Sequence, residues 1–275
     1  MKKIVAFLLT LSCFLAASAS AQAPKKLVVL DPSIVEMIYM LGADDQLVAI
    51  SSLQFSKIWP EEKTAKLKSV GTYTKPNIEQ IVELKPDLVV TSFHSANVNE
   101  SLAKFNLKTL TLKADSVDDI YKNIEEIGKI TGKEQKAAEV IEGIKMKFAS
   151  FKSSGLKGKK ILAVFSSTPL TGFSKKTLPG DIFNKLELKN IADDVEGSTP
   201  IVSTEFILSQ NPDFILVIGG MGGGNSENFL KQNPVLKKTT AAKNDKVLSV
   251  PSSLLLRGTP RIGEAVDKIY ELLSK

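Results

Sequence analysis

The residues of this chain best suited to unusual chemistry are also its scarcest. His94 is the only histidine and Trp59 the only tryptophan, and Arg257 and Arg261 are the only two arginines against 34 lysines. An arginine grips carboxylate, catecholate or phosphate oxygens through two parallel bonds from a planar fork, a geometry lysine cannot copy. A neutral imidazole fills one open position on a metal whose other ligands come from elsewhere. Tyr73 adds a phenol, which as phenolate binds ferric and haem iron. A single histidine does not hold a bare zinc or manganese ion, because such sites draw several ligands from the protein. The metal chemistry open to these residues is therefore capture of a metal that arrives already chelated. Each residue also has a plainer reading: His94 as a histidine hydrogen-bonded near a helix start, and the two arginines as caps or ion-pair partners of the last helix.

Enzymatic chemistry finds less support. There is no Gly-x-Ser-x-Gly elbow, and the one histidine precedes most candidate serines. No paired-carboxylate or metal-ligand cluster stands out. The glycine run 219–224, around Met221, follows a strand-like segment. It lacks the Gly-x-Gly-x-x-Gly spacing with an acidic ribose partner and the Lys-Ser/Thr of a phosphate loop. It reads instead as a cleft wall that lets backbone approach a ligand. A periplasmic enzyme is kept as a remote alternative.

The candidate residues share one kind of location. Ser52, Thr72 with Tyr73, Phe93 with His94, Met221 and Arg257 all stand in loops that follow strand-like segments, with Trp59 a little beyond the second. In open parallel sheets, ligands bind beyond the carboxyl ends of the strands. The strand-like segments are 26–30, 47–50, 87–90, 108–112, 160–165, 214–218 and 246–250. Helical periodicity falls between them, as at Ile34, Met37, Ile38 and Leu41, where Ser33 is the expected cap and Gly42 the stop. Such alternation predicts parallel sheets covered on both faces. The middle differs. Residues 118–130 read as a helix, and 133–153 as a second one free of proline. The expected fold class is α/β: two lobes with mostly parallel sheets flanked by helices, joined by one long helix.

The two lobes also carry a repeat. EQIVELKPDLVV at 79–90 aligns with EFILSQNPDFIL at 205–216, each an acid, a short apolar helix, Pro-Asp and an apolar strand. Proline ends the helix and the strand follows at once.

At the N-terminus, Lys2 and Lys3 precede an apolar run and Ala19-Ser20-Ala21. This is the layout of a secretory signal cleaved after Ala21, which places the product in the periplasm. Thr10-Leu11-Ser12-Cys13 lacks the aliphatic residue expected before a lipidated cysteine. Cys13 is the only cysteine, so the cleaved chain has no disulfide and no thiol site. The net charge falls from +6 to +4 once Lys2 and Lys3 are removed. It is spread over scattered lysines without interleaved aromatics, which argues against nucleic acid as a partner. The expected divisions are 1–21 signal, 22–132 N-terminal lobe, 133–155 connecting helix and 156–275 C-terminal lobe.

The run DPSIVEMIYMLG at 31–42, then VGT at 70–72, PNIEQI at 76–81, LKPDLV at 84–89, NPDFIL at 211–216 and NDKV at 244–247 together resemble one family. It is that of the periplasmic substrate-binding proteins of ABC importers with a single rigid connecting helix, which bind ferric siderophores, haem, cobalamin and other metal chelates. The resemblance covers nearly the whole cleaved chain and rests on the order and spacing of these phrases. It implies a non-enzymatic receptor that captures a metal chelate, such as a ferric siderophore or a nickel or iron complex of a small chelator, and delivers it to a permease. Haem or cobalamin is the alternative ligand. The resemblance implies no intrinsic cofactor beyond a bound chelated transition metal. It also implies that a surface glutamate on each lobe, here Glu79 and Glu205, pairs with permease arginines. The expected ligand-binding residues are His94, also as metal ligand, Arg257, Tyr73, Trp59, Phe93, Ser52, Thr72 and Met221. The tyrosine is offset by one residue from its place in haem receptors of the family.

Overall fold

A computed structural model describes residues 26–54, 56–151, 155–165, 169–219 and 225–274. The signal expected at 1–21, with its cleavage after Ala21 and the lipidation question at Cys13, lies outside the described residues.

Two sheets organise the chain. The first contains β1 (Leu27–Val29), β2 (Leu47–Ser52), β3 (Lys68–Thr72), β4 (Lys75–Pro76), β5 (Leu88–Ser92) and β6 (Thr109–Leu112), in the order β4-β3-β2-β1-β5-β6. All pairs are parallel except the β3–β4 hairpin. The second contains β7 (Lys160–Phe165), β8 (Thr171–Gly172), β9 (Lys189–Asn190), β10 (Phe214–Gly219) and β11 (Val247–Pro251). Its main order is β11-β10-β7-β8, and β9 also pairs with β7. Central strands such as LVV in β1 and FILVI in β10 are buried on both faces, as parallel strands under helices must be.

The helix Pro32–Leu41 is fixed at both ends by its sequence. Asp31 is the N-cap, Pro32 takes the first helical position, and Gly42 closes the helix in the left-handed region at φ 69°. Ser33, the cap expected from sequence, sits inside the helix and donates to Asp31 through both its N–H and its hydroxyl. The reason is the proline. Its missing N–H and fixed φ suit the first turn, which moves the cap to the residue before it.

Helix Val117–Thr131 ends at Gly132, and helix Glu134–Ser150 follows and leads into the second lobe. The connector is thus shorter than the expected 133–155. It closes at Phe151, and 152–154 lie outside the described residues. It packs against both Val117–Thr131 and the last helix, Ile262–Ser274. A Cβ at Gly128 would stand 2.6 Å from the Ala137 Cβ, so glycine is what lets the first two of these helices cross so closely. One continuous core cluster runs from Ile34 and Ile38 through Ile124, Ile141 and Ile144 to Ile182, Val266 and Ile269. The lobes therefore share buried apolar packing as well as a connector.

The repeat in the sequence is also a repeat in space. Helix Ile78–Leu84 and helix Thr204–Gln210 each have seven residues, with caps Asn77 and Ser203 and left-handed closures at Lys85 and Asn211. Asp87 then accepts from the Lys26 N–H at 3.0 Å, and Asp213 accepts from the Lys160 N–H at 2.8 Å. Each aspartate ties the strand it opens to the start of the neighbouring strand. Glu79 and Glu205 occupy the same place in the first turn of their helices, and both are exposed.

A candidate ligand cleft between the lobes

The carboxyl ends of β1, β2, β3, β5 and β6 converge on one cavity, and the loop after β11 closes its far side. Its volume is about 540 Å³, within the ordinary range for small-molecule sites. The first lobe contributes Asp31, Ser33, Leu53, Ser56, Tyr73, Ser92, Phe93, His94, Leu112, Lys113 and Asp115. The second contributes Ser252, Ser253, Leu256, Arg257 and Gly258.

His94 reaches the cavity because Ser92 ends β5 as a cap. Its Oγ accepts from the His94 N–H at 3.2 Å, while the Ser95 Oγ accepts from the Ser92 N–H at 3.0 Å. Phe93 and His94 open the resulting turn at the cleft rim, and Phe93 is 76% exposed. The His94 ring lies 5.3 Å from the Tyr73 ring and 5.8 Å from the Phe93 ring, centroid to centroid. An aromatic wall thus lines the first-lobe side. Across from it, Leu256 is a partly exposed apolar side chain.

Asp31 sits among these rings. Burial raises its pKa above the ordinary carboxylate value, opposed by the Ser33 side-chain and backbone bonds, the Ile34 N–H and the charge of His94. The Tyr73 phenol is pushed up to about 12, first by burial and then by the Asp31 charge, with a Ser92 hydrogen bond and Arg257 acting in the opposite direction. Tyr73 is therefore a neutral hydrogen-bond donor at pH 7.

Arg257 lines the cavity, but its guanidinium is engaged elsewhere. Nη1 donates to Glu36 Oε1 at 2.9 Å and to the Lys57 carbonyl at 3.1 Å, and Nη2 donates to the Ser56 Oγ at 2.9 Å. Glu36 is 1% exposed, and its other oxygen accepts from the Thr259 hydroxyl. Arg261 stands 4.0 Å from the same carboxylate, pairs with Glu264 in the last helix, and lies 5.2 Å over the Trp59 ring. The two arginines thus clasp the second lobe's last loop to the first helix and the 56–59 segment of the first lobe. Gly258 completes the contact. A Cβ there would meet the Ala114 Cβ at 2.2 Å, so the lobes touch at the cleft edge.

Three expected ligand residues do not line the cavity. Trp59 is held under Arg261 in the clasp. The Ser52 hydroxyl is turned to the Gly71 carbonyl at 3.1 Å. The Thr72 hydroxyl accepts from the Lys75 N–H at 3.1 Å within the β3–β4 hairpin. Met221 lies outside the described residues, as do Ser166 and Ser167, which follow β7. His94, Tyr73, Phe93 and Arg257 are brought together. Ser92 stands among them, and so does Asp31, which was overlooked in the sequence although it comes directly after the first strand. Among the described residues, no group of three or more His, Cys, Asp or Glu side chains is placed to hold a metal ion.

Two α/β lobes around a ligand-sized cleft, with a helix running from one to the other, define a solute-binding architecture. Residues 27–254 match the family model described as periplasmic binding protein, and the chain belongs to that family. The family consists of binding proteins rather than enzymes. The chain is 29% identical to the uncharacterized ABC transporter substrate-binding lipoprotein YvrC of Bacillus subtilis, over 90% of this chain and 79% of that one. It is 26% identical to the vitamin B12-binding protein of Pectobacterium carotovorum, over 98% and 96% of the two chains. A possible iron-binding, periplasmic solute-binding protein from Staphylococcus epidermidis superposes with a TM-score of 0.82 at 26% identity, covering 92% of this chain and all of that one. No helix among the described residues is long and apolar enough to cross a membrane.

Proposed function

We propose that the chain is an exported receptor that captures a chelated transition metal in the interlobe cleft and delivers it to the permease of an ABC importer. The observation that carries this reading is the convergence of His94, Tyr73, Phe93 and Asp31 on a cavity closed by the opposite lobe. One imidazole beside a neutral phenol and exposed apolar surface suits a metal already wrapped by an organic ligand, with His94 meeting the metal or a polar edge of the chelator. The relatives named for vitamin B12 and for iron support the same ligand class. Export with cleavage after Ala21 belongs to this proposal.

Docking on the permease is assigned to Glu79 and Glu205. Their matched places on equivalent helices of the two lobes present a pair of carboxylates to a two-fold partner. Glu205 is held charged: its own N–H and the Ser203 side chain lower its pKa.

The test is titration of the cleaved protein with ferric, cobalt and nickel chelates, following chelate absorption. Saturable 1:1 binding is expected, and His94→Ala should shift the absorption spectrum of the bound chelate if the imidazole meets the metal. Absence of binding to every chelate would reject the reading.

A further inference from the structure

The geometry points to Asp31 as the residue that selects the ligand's charge. The cleft takes a chelate that presents a hydrogen-bond donor or a positive group to this carboxylate, and it turns away polyanionic chelates. This deepens the chelate-receptor reading and rests on it.

The charges of the described lining support it. Arg257, the cation a polyanion would seek, has its guanidinium on Glu36 at 2.9 Å, on Ser56 and on the Lys57 carbonyl. Lys113 at the rim pairs with Asp115 at 3.1 Å. Asp31 has no lysine or arginine partner among the described residues. Both Ser33 bonds, at 2.8 and 2.6 Å, fall on Oδ1, so the helix cap is complete without Oδ2. The groups around Asp31 are Tyr73, Ser92 and His94, which can share a ligand's polar edge but cannot neutralise several negative charges. A partly buried carboxylate facing a ligand with no counter-cation costs the complex unless the ligand brings a donor. A chelate rimmed with amide N–H groups does so; a trianionic tris-catecholate does not.

The experiment compares the cleaved protein with Asp31→Asn, which keeps a competent helix cap. Two chelate probes are cyanocobalamin, uncharged overall and rich in amides, and a ferric tris-catecholate. Two metal-free porphyrins of similar size, one with four cationic groups and one with four sulfonates, test charge alone. The wild type should prefer cyanocobalamin and the cationic porphyrin. Asp31→Asn should shrink each preference by about tenfold, the scale of one charge-assisted hydrogen bond. Unchanged preferences in Asp31→Asn, or a wild type that prefers the anions, would overturn charge selection while leaving the chelate reading intact. Failure of both chelates to bind, with a porphyrin preference that falls in Asp31→Asn, would leave charge selection standing against the chelate reading. No binding by any probe would overturn both.

Discussion

Glu36 in the first helix and Arg257 in the last loop lie 221 residues apart in sequence and 2.9 Å apart in space. Their pairing joins the two lobes beside the cleft. With Thr259, Ser56 and the Lys57 carbonyl it forms a network, buried at Glu36 and Thr259 and open to solvent at Ser56 and Lys57, that leaves Arg257 few free donors for a ligand.

Removing one partner should expose the cost of the other. Arg257→Met leaves the Glu36 carboxylate buried, with the Thr259 hydroxyl and a more distant Arg261. A loss of about 3–5 kcal/mol is expected in urea denaturation. The double variant Glu36→Met/Arg257→Met should regain most of it, because no uncompensated charge remains. A single-variant loss well under about 1 kcal/mol would show that the pair is solvated rather than buried.

The contact between Gly258 and Ala114 gives a second test of the interlobe fit. Gly258→Ala places a methyl against the Ala114 Cβ, 2.2 Å away before relaxation. The strain should cost about 1–3 kcal/mol. Ala114→Gly in the same chain should restore part of that loss by making room. Equal stability of Gly258→Ala and wild type in thermal unfolding would mean that the lobes are not held this closely.

Tyr73 predicts a signature at alkaline pH. Its folded pKa is about 12 against an ordinary 10. Because the folded value is raised, its contribution to stability is fully present below pH 10 and is lost as pH rises toward 12. Tyr73→Phe should therefore lose stability less steeply than wild type across that window. It should also lack part of the late tyrosinate absorbance rise, the remainder belonging to Tyr121, likewise raised to about 12 by burial and by neighbouring carboxylates, and to Tyr39, raised by burial and by Asp44. Ionisation of Tyr73 near pH 10 in the folded protein would remove Asp31 and burial as its controlling neighbours.

The paired surface acids should separate delivery from capture. Glu79→Lys or Glu205→Lys should impair uptake by reversing a charge at the proposed permease contact, while chelate affinity stays within about twofold because neither residue lines the cleft. Affinity loss with intact permease binding would move these acids out of the docking surface.

Much of this architecture was legible because it is local. The Pro-Asp steps at 86–87 and 212–213, the strand runs and the helix stops at Gly42 and Gly132 each depend on a few neighbouring residues, and they reappear as matched hydrogen bonds in the two lobes. The loops after strands also marked where His94, Tyr73 and Phe93 would meet. What local pattern did not carry was partnership across the chain. Scarcity singled out Arg257 and Trp59 but did not tell ligand contact from clasp, since Glu36 is a single acid in an otherwise apolar turn whose partners come from the last loop. Asp31 was hidden for a related reason. Its one hint was its place directly after the first strand, but it reads there as the residue before a helix-starting proline, and its position on the cavity is fixed when β1 is set between β2 and β5.

The central claim is that a metal chelate occupies the cleft. Ser253 lines the cavity and is exposed, so Ser253→Trp sets a bulky ring at the cleft to obstruct a ligand without disturbing the core. Wild type and Ser253→Trp should each be purified from cells that make and export the protein, then weighed by native mass spectrometry with metal analysis. The wild type should carry one chelate containing iron, cobalt or nickel per chain, and Ser253→Trp should carry none. A metal-free adduct on the wild type, or the same chelate retained in full by Ser253→Trp, would contradict the account.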